Sequence, residues 1–265
     1  MRVSMGQMRS STDKTDNLRQ IREMTTAAAA AGADLVVFPE FAMYEQHVVD
    51  KTYVAAAEPL DGPFTRELRS IAQDNQITVV AGMLEEVPGE DRGYNTVFVS
   101  DRDGKYLTHY RKVHLYDAFG IRESDIVKPS EATEPVTFSI GGVTVGLITC
   151  YDLRFPESAR DLVDHAAELL LLPSSWTPGP RKEDHWNVLS RARAIENTVY
   201  VLAVSQAPPL STGGSMFIDP MGIVLGELGE EPAVGTYDVD LERIRTVRLK
   251  NPSLTDRRYS VTRSR

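Results

Sequence analysis

Cys150 is the only cysteine of the sequence, and it closes the apolar run Val143-Thr144-Val145-Gly146-Leu147-Ile148-Thr149. After it comes Tyr151-Asp152-Leu153-Arg154-Phe155-Pro156-Glu157, in which Pro156 suits the first turn of a helix. A thiol at such a strand-to-helix corner stands where α/β domains collect ligands, and a helix N-terminus beside it would favour thiolate over thiol. The alternative reading is a small buried hydrophobe. Glu40 ends a second apolar run in Phe38-Pro39-Glu40-Phe41, which sets a carboxylate at a strand terminus between apolar neighbours; alone it reads rather as a solvated residue at the start of a loop. Lys112, in Tyr110-Arg111-Lys112-Val113-His114-Leu115, alone reads as a surface lysine.

Together the three have a mechanism. A thiol with a reference pKa of about 8.5 is only slightly ionised at neutral pH, so an amide-cleaving cysteine needs a base or a cationic neighbour. Glu40 would take the thiol proton and pass it to the departing amine. Lys112 and a backbone N–H beside Cys150, that of Tyr151, would stabilise the oxyanion. Water activated by Glu40 would then release the acid from a thioester. The other arrangement known to physical chemistry is a Cys-His pair, for which His109, His114, His165 and His185 are available; His114 points away from Lys112 if its segment is extended.

These residues need elements to position them. Asp13–Ala31 carries Leu18, Ile21, Thr25 and Ala28 at helical spacing and leads into the strand Leu35–Phe38. The pattern recurs with a helix over Phe64–Asn75 and a strand over Ile77–Gly82. Asn95–Ser100 and Lys105–Tyr110 flank the turn Asp101-Arg102-Asp103-Gly104, and Val136–Ile140 and Val143–Thr149 flank Gly141-Gly142, both hairpin signals. A helix over Glu157–His165 feeds a strand over Glu168–Pro173. A helix over Glu183–Thr198, with Val188, Ala192, Ile195 and Val199 on one face, feeds a strand over Tyr200–Val204. Short strands Met216–Asp219 and Ile223–Glu227 bracket Pro220-Met221-Gly222, and Gly235–Val239 closes the series. Alternating helices and strands with interposed hairpins imply one layered α/β domain over 1–265, helices covering mixed sheets, with its core at about 2–240. The polar, Arg-rich tail from about 241 either packs on a partner subunit or frays.

With 42% apolar and 25% charged residues, the chain has ample material for one core. A net charge of −9 argues against nucleic-acid or anionic-membrane partners and for a small molecule. One cysteine excludes an internal disulfide, the N-terminus lacks the apolar core of a signal peptide, and no apolar run approaches the roughly 20 residues of a membrane span. A cytoplasmic protein is expected. Scattered histidines and one cysteine offer no metal-ligand spacing, and Gly213-Gly214-Ser215 lacks the lysine of a phosphate-cradling loop, so no metal or cofactor is expected.

The segments Phe38-Pro39-Glu40, Arg111–Leu115 and Cys150–Glu157 resemble, in order and spacing, the motifs of the nitrilase superfamily of carbon-nitrogen hydrolases. The resemblance runs from about Arg2 to Val239 and includes His185-Trp186, Arg191–Asn197 and Asp219–Gly222. It implies a four-layer αββα sandwich, a Glu40-Lys112-Cys150 triad, and homodimers or higher homo-oligomers paired across a helical layer. It also implies a second glutamate in the loop after the lysine: Glu123 matches, with Glu131 and Glu134 as weaker candidates, although this loop reads Pro129-Ser130 where proline-glycine is common. Cys-Tyr-Asp-Leu-Arg-Phe-Pro-Glu is most similar to the branch of deaminated glutathione amidase and ω-amidase, and Tyr151-Asp152 disfavours a true nitrilase. An amide substrate of a small acid is therefore expected, with N-carbamoyl amino acid hydrolysis as the alternative and a catalytically idle interaction protein as a third reading. Arg154 would pair with a substrate carboxylate or brace Glu157 or Asp152. Tyr151, Trp176, Tyr44 and Phe119 are candidates to line the acyl pocket.

Overall fold

The computed structural model describes residues 1–48, 50–130 and 134–262; Glu131 lies outside them. Two six-stranded mixed sheets form its centre. The first contains β1 (Arg2–Gln7), β2 (Leu35–Val37), β3 (Thr78–Glu85), β4 (Tyr94–Ser100) and β5 (Tyr106–Arg111). The second contains β6 (Thr137–Ile140), β7 (Val143–Leu147), β8 (Leu169–Ser174), β9 (Tyr200–Ser205), β10 (Met216–Ile218) and β11 (Val224–Glu227). The chain then returns to the first sheet, where β12 (Ala233–Asp238) pairs antiparallel with β1. Strands β1-β2-β3 and β7-β8-β9 run parallel, so each sheet has a parallel centre flanked by antiparallel strands.

Three apolar layers follow from the pleat, since alternate residues of each buried strand face opposite ways. Val3, Met5, Leu35, Val37, Val80, Val97 and Val99 meet Val145, Leu147, Leu169, Leu171, Leu202 and Phe217 between the sheets. The other faces are covered by α1 (Lys14–Ala30) and α3 (Pro63–Asn75) on the first sheet, and by α4 (Pro156–Asp164) and α5 (Lys182–Asn197) on the second. The order is therefore αββα. Helix starts sit where capping chemistry puts them: the Asp13 carboxylate accepts from the Thr15 and Asp16 N–H groups, and Pro63 and Pro156 occupy first turns. No helix among the described residues is long and apolar enough to cross a membrane.

One expectation fails. In α5 the inward face is Trp186, Ser190, Arg193, Ala194 and Asn197, whereas Val188 and Ile195 are exposed. The apolar stripe misleads because Arg193, at an inward position, satisfies itself by donating from Nε and Nη2 to the Leu153 carbonyl at 3.1 and 2.6 Å. Of the two alternatives for the tail, packing on a partner subunit or fraying, the second does not describe its first part. Residues Leu241–Lys250 form α6, capped by the Asp240 carboxylate, with Ile244 and Val247 buried. Arg243 donates to Asp219 Oδ2 at 2.9 and 2.6 Å, and Arg257 reaches Asp164 at 2.6 Å. A short helix α2 (Lys51–Ala56) and the strand β1 carry too few periodic residues to be read from sequence.

Phe217 ties the layers together. Its ring stacks on Tyr200 of its own sheet at 5.2 Å and on Tyr237 of the other at 5.4 Å. Phe217→Ala is expected to lower unfolding free energy by about 3–5 kcal/mol in denaturant titration with an unchanged slope, because a cavity opens where neither sheet can collapse into it.

Candidate active site

The site gathers at the carboxyl ends of the parallel strands, where the two sheets face each other. Glu40 follows β2, Cys150 follows β7, Ser175 and Trp176 follow β8, and Gln206 follows β9. Lys112 continues β5, and its N–H donates to the Asn95 carbonyl at 2.8 Å as in the ladder. The backbone of Glu40 comes close to Gly82 of β3: a Cβ there would lie 2.7 Å from Glu40 Cα and from Phe41 N. Glycine is required at that position for the carboxylate to reach the site.

Lys112 is 1% exposed and Glu40 is equally buried. The Lys112 ammonium donates to Glu40 Oε1 at 2.8 Å and lies 3.1 and 2.9 Å from the two oxygens of Glu123. Asn95 Nδ2 donates to both acids, to Glu40 Oε1 at 2.7 Å and to Glu123 Oε1 at 3.0 Å. The second oxygen of Glu40 accepts from the Ser175 N–H at 2.8 Å, and that of Glu123 from the Tyr116 N–H at 2.6 Å. Burial works to lower the Lys112 pKa, but the charges of Glu123 and Glu40 outweigh it and hold the ammonium well above the usual lysine range. Lys112 is thus a fixed positive charge and no base.

Cys150 is buried in a 3₁₀ turn, Cys150–Arg154, with a left-handed φ of 46°. A non-glycine residue held there is strained, and such strain persists only where the surroundings impose it. The Asp152 carboxylate imposes it, accepting from Tyr110 Oη at 2.7 Å, the Thr149 N–H at 3.0 Å and the His114 N–H at 3.2 Å, with His114 Nδ1 at 2.7 Å. His114 is thereby spent on Asp152 and stacked on Phe155, at 3.7 Å between ring centres. The thiol is not thiolate-like as the corner position suggested. Burial first, then the negative charge of Glu40, pushes its pKa well above the ordinary value, against the pull of Lys112. Sγ lies 3.8 Å from the Ser175 carbonyl oxygen. A neutral thiol beside a hydrogen-bonded carboxylate and a permanent ammonium can be deprotonated at the moment of attack.

These groups open into a cavity of about 260 Å3, lined also by Phe41, Tyr53, Tyr116, Tyr151, Trp176 and Lys182. Of the candidate pocket residues, Tyr151 and Trp176 line it. Tyr44 packs against Tyr53 behind the wall and donates to Gln46 Oε1 at 2.7 Å. Phe119 is 65% exposed, stacked outside Tyr116. Arg154 braces neither Glu157 nor Asp152. Its guanidinium lies 5.0 Å over Trp176, away from the cavity, with Nη2 3.4 Å from His185 Nδ1, because Asp152 is already filled and Glu157 is exposed. Glu134 does not line the cavity.

Four contributors escape the sequence reading: Asn95, Glu45, Ser175 and Lys182. Ser175 carried a usable signal, a polar residue just past an apolar strand, the same one that singles out Glu40. Asn95 and Glu45 sit in segments with no such pattern. Glu45 donates nothing to the triad, but Ser175 Oγ–H donates to it, and the same Oγ lies 2.9 Å from Ser211 Oγ. Among the described residues no cluster of three or more His, Cys, Asp or Glu side chains is arranged to hold a metal ion.

Burial is the main cause that raises Glu45 from an ordinary 4.5 to about 8. The folded chain therefore keeps a proton that the unfolded chain releases above about pH 4.5, so stability falls as pH rises from about 4.5 to 8 and levels off beyond. Glu45→Gln should flatten this slope. Unfolding free energies measured at pH 5 and pH 8 are expected to differ by a few kcal/mol less in the variant than in the parent chain; equal differences would contradict a protonated Glu45.

The carbon-nitrogen hydrolase family matches residues 2–249. The chain is 38% identical to hydrolase Rv0480c of Mycobacterium tuberculosis, covering 94% of this chain and 92% of the relative. It is 36% identical to the deaminated glutathione amidase of Escherichia coli O157:H7, covering 98% of each. The amidase from Nesterenkonia sp. AN1 in complex with acrylamide superposes with a TM-score of 0.81 at 28% identity, over 97% of this chain and 94% of that one. With its fold, its motifs and nearly its whole length accounted for in this way, the chain belongs to the carbon-nitrogen hydrolase family.

Proposed function

We propose that this chain is a cysteine-dependent amidase that converts the amide of a small carboxylic acid into acid and ammonia through a thioester. The observation that carries the reading is the convergence of a strained, neutral Cys150 thiol, the Glu40 carboxylate and the Lys112 ammonium at one end of a small enclosed cavity. Glu40 removes the thiol proton as Sγ attacks the carbonyl carbon. The carbonyl oxygen takes negative charge, which Lys112 and the Tyr151 N–H stabilise; loss of one such donor typically costs about 3 kcal/mol. Glu40 returns the proton to the leaving ammonia, then draws a proton from the water that hydrolyses the thioester. Glu123 and Asn95 keep Lys112 and Glu40 in register. The relatives named deaminated glutathione amidase support the reaction class.

A homodimer belongs to this reading. Ile195 of α5 is 44% exposed beside the turn 220–222, which Arg191 Nε holds through the Gly222 carbonyl at 2.9 Å, and Met221, Ile223 and Leu225 are exposed there too. Such a cluster of apolar side chains on an outer helical face suits burial against a second copy, with α6 and the tail at its margin. A reactive, unpaired thiol also suits the reducing cytoplasm.

Ammonia release should be measured over a panel of glutaramate, succinamate, deaminated glutathione, aliphatic amides, N-carbamoyl amino acids and nitriles. At least one amide should be hydrolysed, and Cys150→Ala should reduce that rate by at least about 1,000-fold, as removal of a nucleophile acting in a concerted unit does. Undiminished turnover by Cys150→Ala, or none from any amide by the folded parent, would sink the reading.

A further inference from the structure

Lys182 opens α5, and its side chain turns into the same cavity as Cys150. The residue is 3% exposed. Its position is fixed by the backbone: its N–H donates to the Gly179 carbonyl at 3.0 Å, and its own carbonyl accepts from Trp176 Nε1 at 2.8 Å. Nζ donates to Tyr116 Oη at 2.9 Å and lies 4.7, 4.9 and 4.6 Å from the ring centres of Tyr116, Phe119 and Trp176. Aromatic faces offset part of the cost of burying an ammonium, but they accept no full hydrogen bond from its remaining N–H groups. Among the described residues no carboxylate lies within 4 Å of Nζ. Lys112, the other cavity ammonium, is flanked by two. The cavity is thus electrically lopsided: carboxylates in excess around Cys150, an uncompensated cation on the wall formed by Tyr116 and Trp176.

We propose that Lys182 is the specificity-determining residue of this site, holding a single carboxylate on the acyl portion of the substrate while the amide end meets Cys150. The inference rests on the amidase reading for the identity of the other end. Tyr116 completes the seat, because its oxygen accepts from Lys182 and its O–H remains to donate to the incoming carboxylate. One ammonium matches one negative charge, which favours a carboxylate over a doubly charged phosphate. Arg154 does not line the cavity, although its guanidinium lies over the same Trp176 and Phe119 rings at 5.0 and 5.6 Å.

Binding and turnover separate the two claims. Calorimetric titration of the Cys150→Ala protein uses glutaramate and, as its uncharged five-carbon counterpart, pentanamide. Adding Lys182→Met, which keeps an unbranched stem against the rings, should weaken glutaramate binding by about 10- to 100-fold, the effect of one charge-assisted pair. It should not weaken pentanamide binding, and Lys182→Arg should restore part of the loss. In the enzyme with Cys150 intact, Lys182→Met should lower the ratio of kcat/KM for glutaramate over pentanamide, chiefly through KM. Equal weakening of both ligands would assign Lys182 a purely structural role and overturn the proposal. So would unaltered glutaramate binding, or none to the Cys150→Ala protein. If no amide is turned over but the calorimetric contrast appears, the amidase reading fails and the carboxylate seat stands.

Discussion

A lysine ammonium with almost no access to water, held between two carboxylates, is the constraint around which this molecule is arranged. Unpaired, such a charge would cost several kcal/mol in desolvation alone. Lys112 is tolerated only because Glu40 and Glu123 approach within about hydrogen-bond distance, and they approach only because their own remaining lone pairs are satisfied by Asn95, Ser175 and the Tyr116 backbone. The consequence spreads outward. The loop bearing Glu123, the strand ends bearing Glu40 and Ser175, and the β4 position of Asn95 must all be correct at once, so rigidity at the site follows from electrostatics as much as from apolar packing.

The same charges decide the state of the Cys150 thiol. Lys112 alone would draw Cys150 toward thiolate, yet burial and the nearby Glu40 prevail and keep the proton on sulfur. A resting thiol is less exposed to oxidation than a thiolate. Asp152 plays the mechanical counterpart. It fastens the Cys150 turn to the segment on either side of Lys112, through Tyr110 and His114, so thiol and cation are tied by covalent chain and hydrogen bond across two sheets.

Much of this was legible in the sequence because strand ends advertise themselves. Phe38-Pro39-Glu40 and the run closing at Cys150 juxtapose an apolar stretch with one reactive residue, and the structure brings both, with Lys112 and Glu123, to a single point. The layered α/β organisation followed from alternating periodicities. The failures share one cause: interactions between distant segments override local pattern. The α5 stripe of Val188 and Ile195 looked inward because apolar residues usually do, but a carbonyl of the Cys150 turn claims Arg193 instead. The charged segment Leu241–Lys250 gave no helical signal, but Asp219 and Asp164 lie ready for its arginines and those beyond it. Lys182 was invisible because nothing in Gly179-Pro180-Arg181-Lys182 indicates that the stem turns inward over three aromatic rings.

The chain crosses from the first sheet to the second once, between β5 and β6, and comes back only for β12. Until Ala233–Asp238 has left the ribosome, β1 presents an unpaired edge, although every strand it will ever neighbour on its other side was made long before. An open edge is a template for pairing with foreign strands. The last strand of the sandwich therefore acts as a closure: the first strand made gains its second neighbour only when β12, the last, is in place.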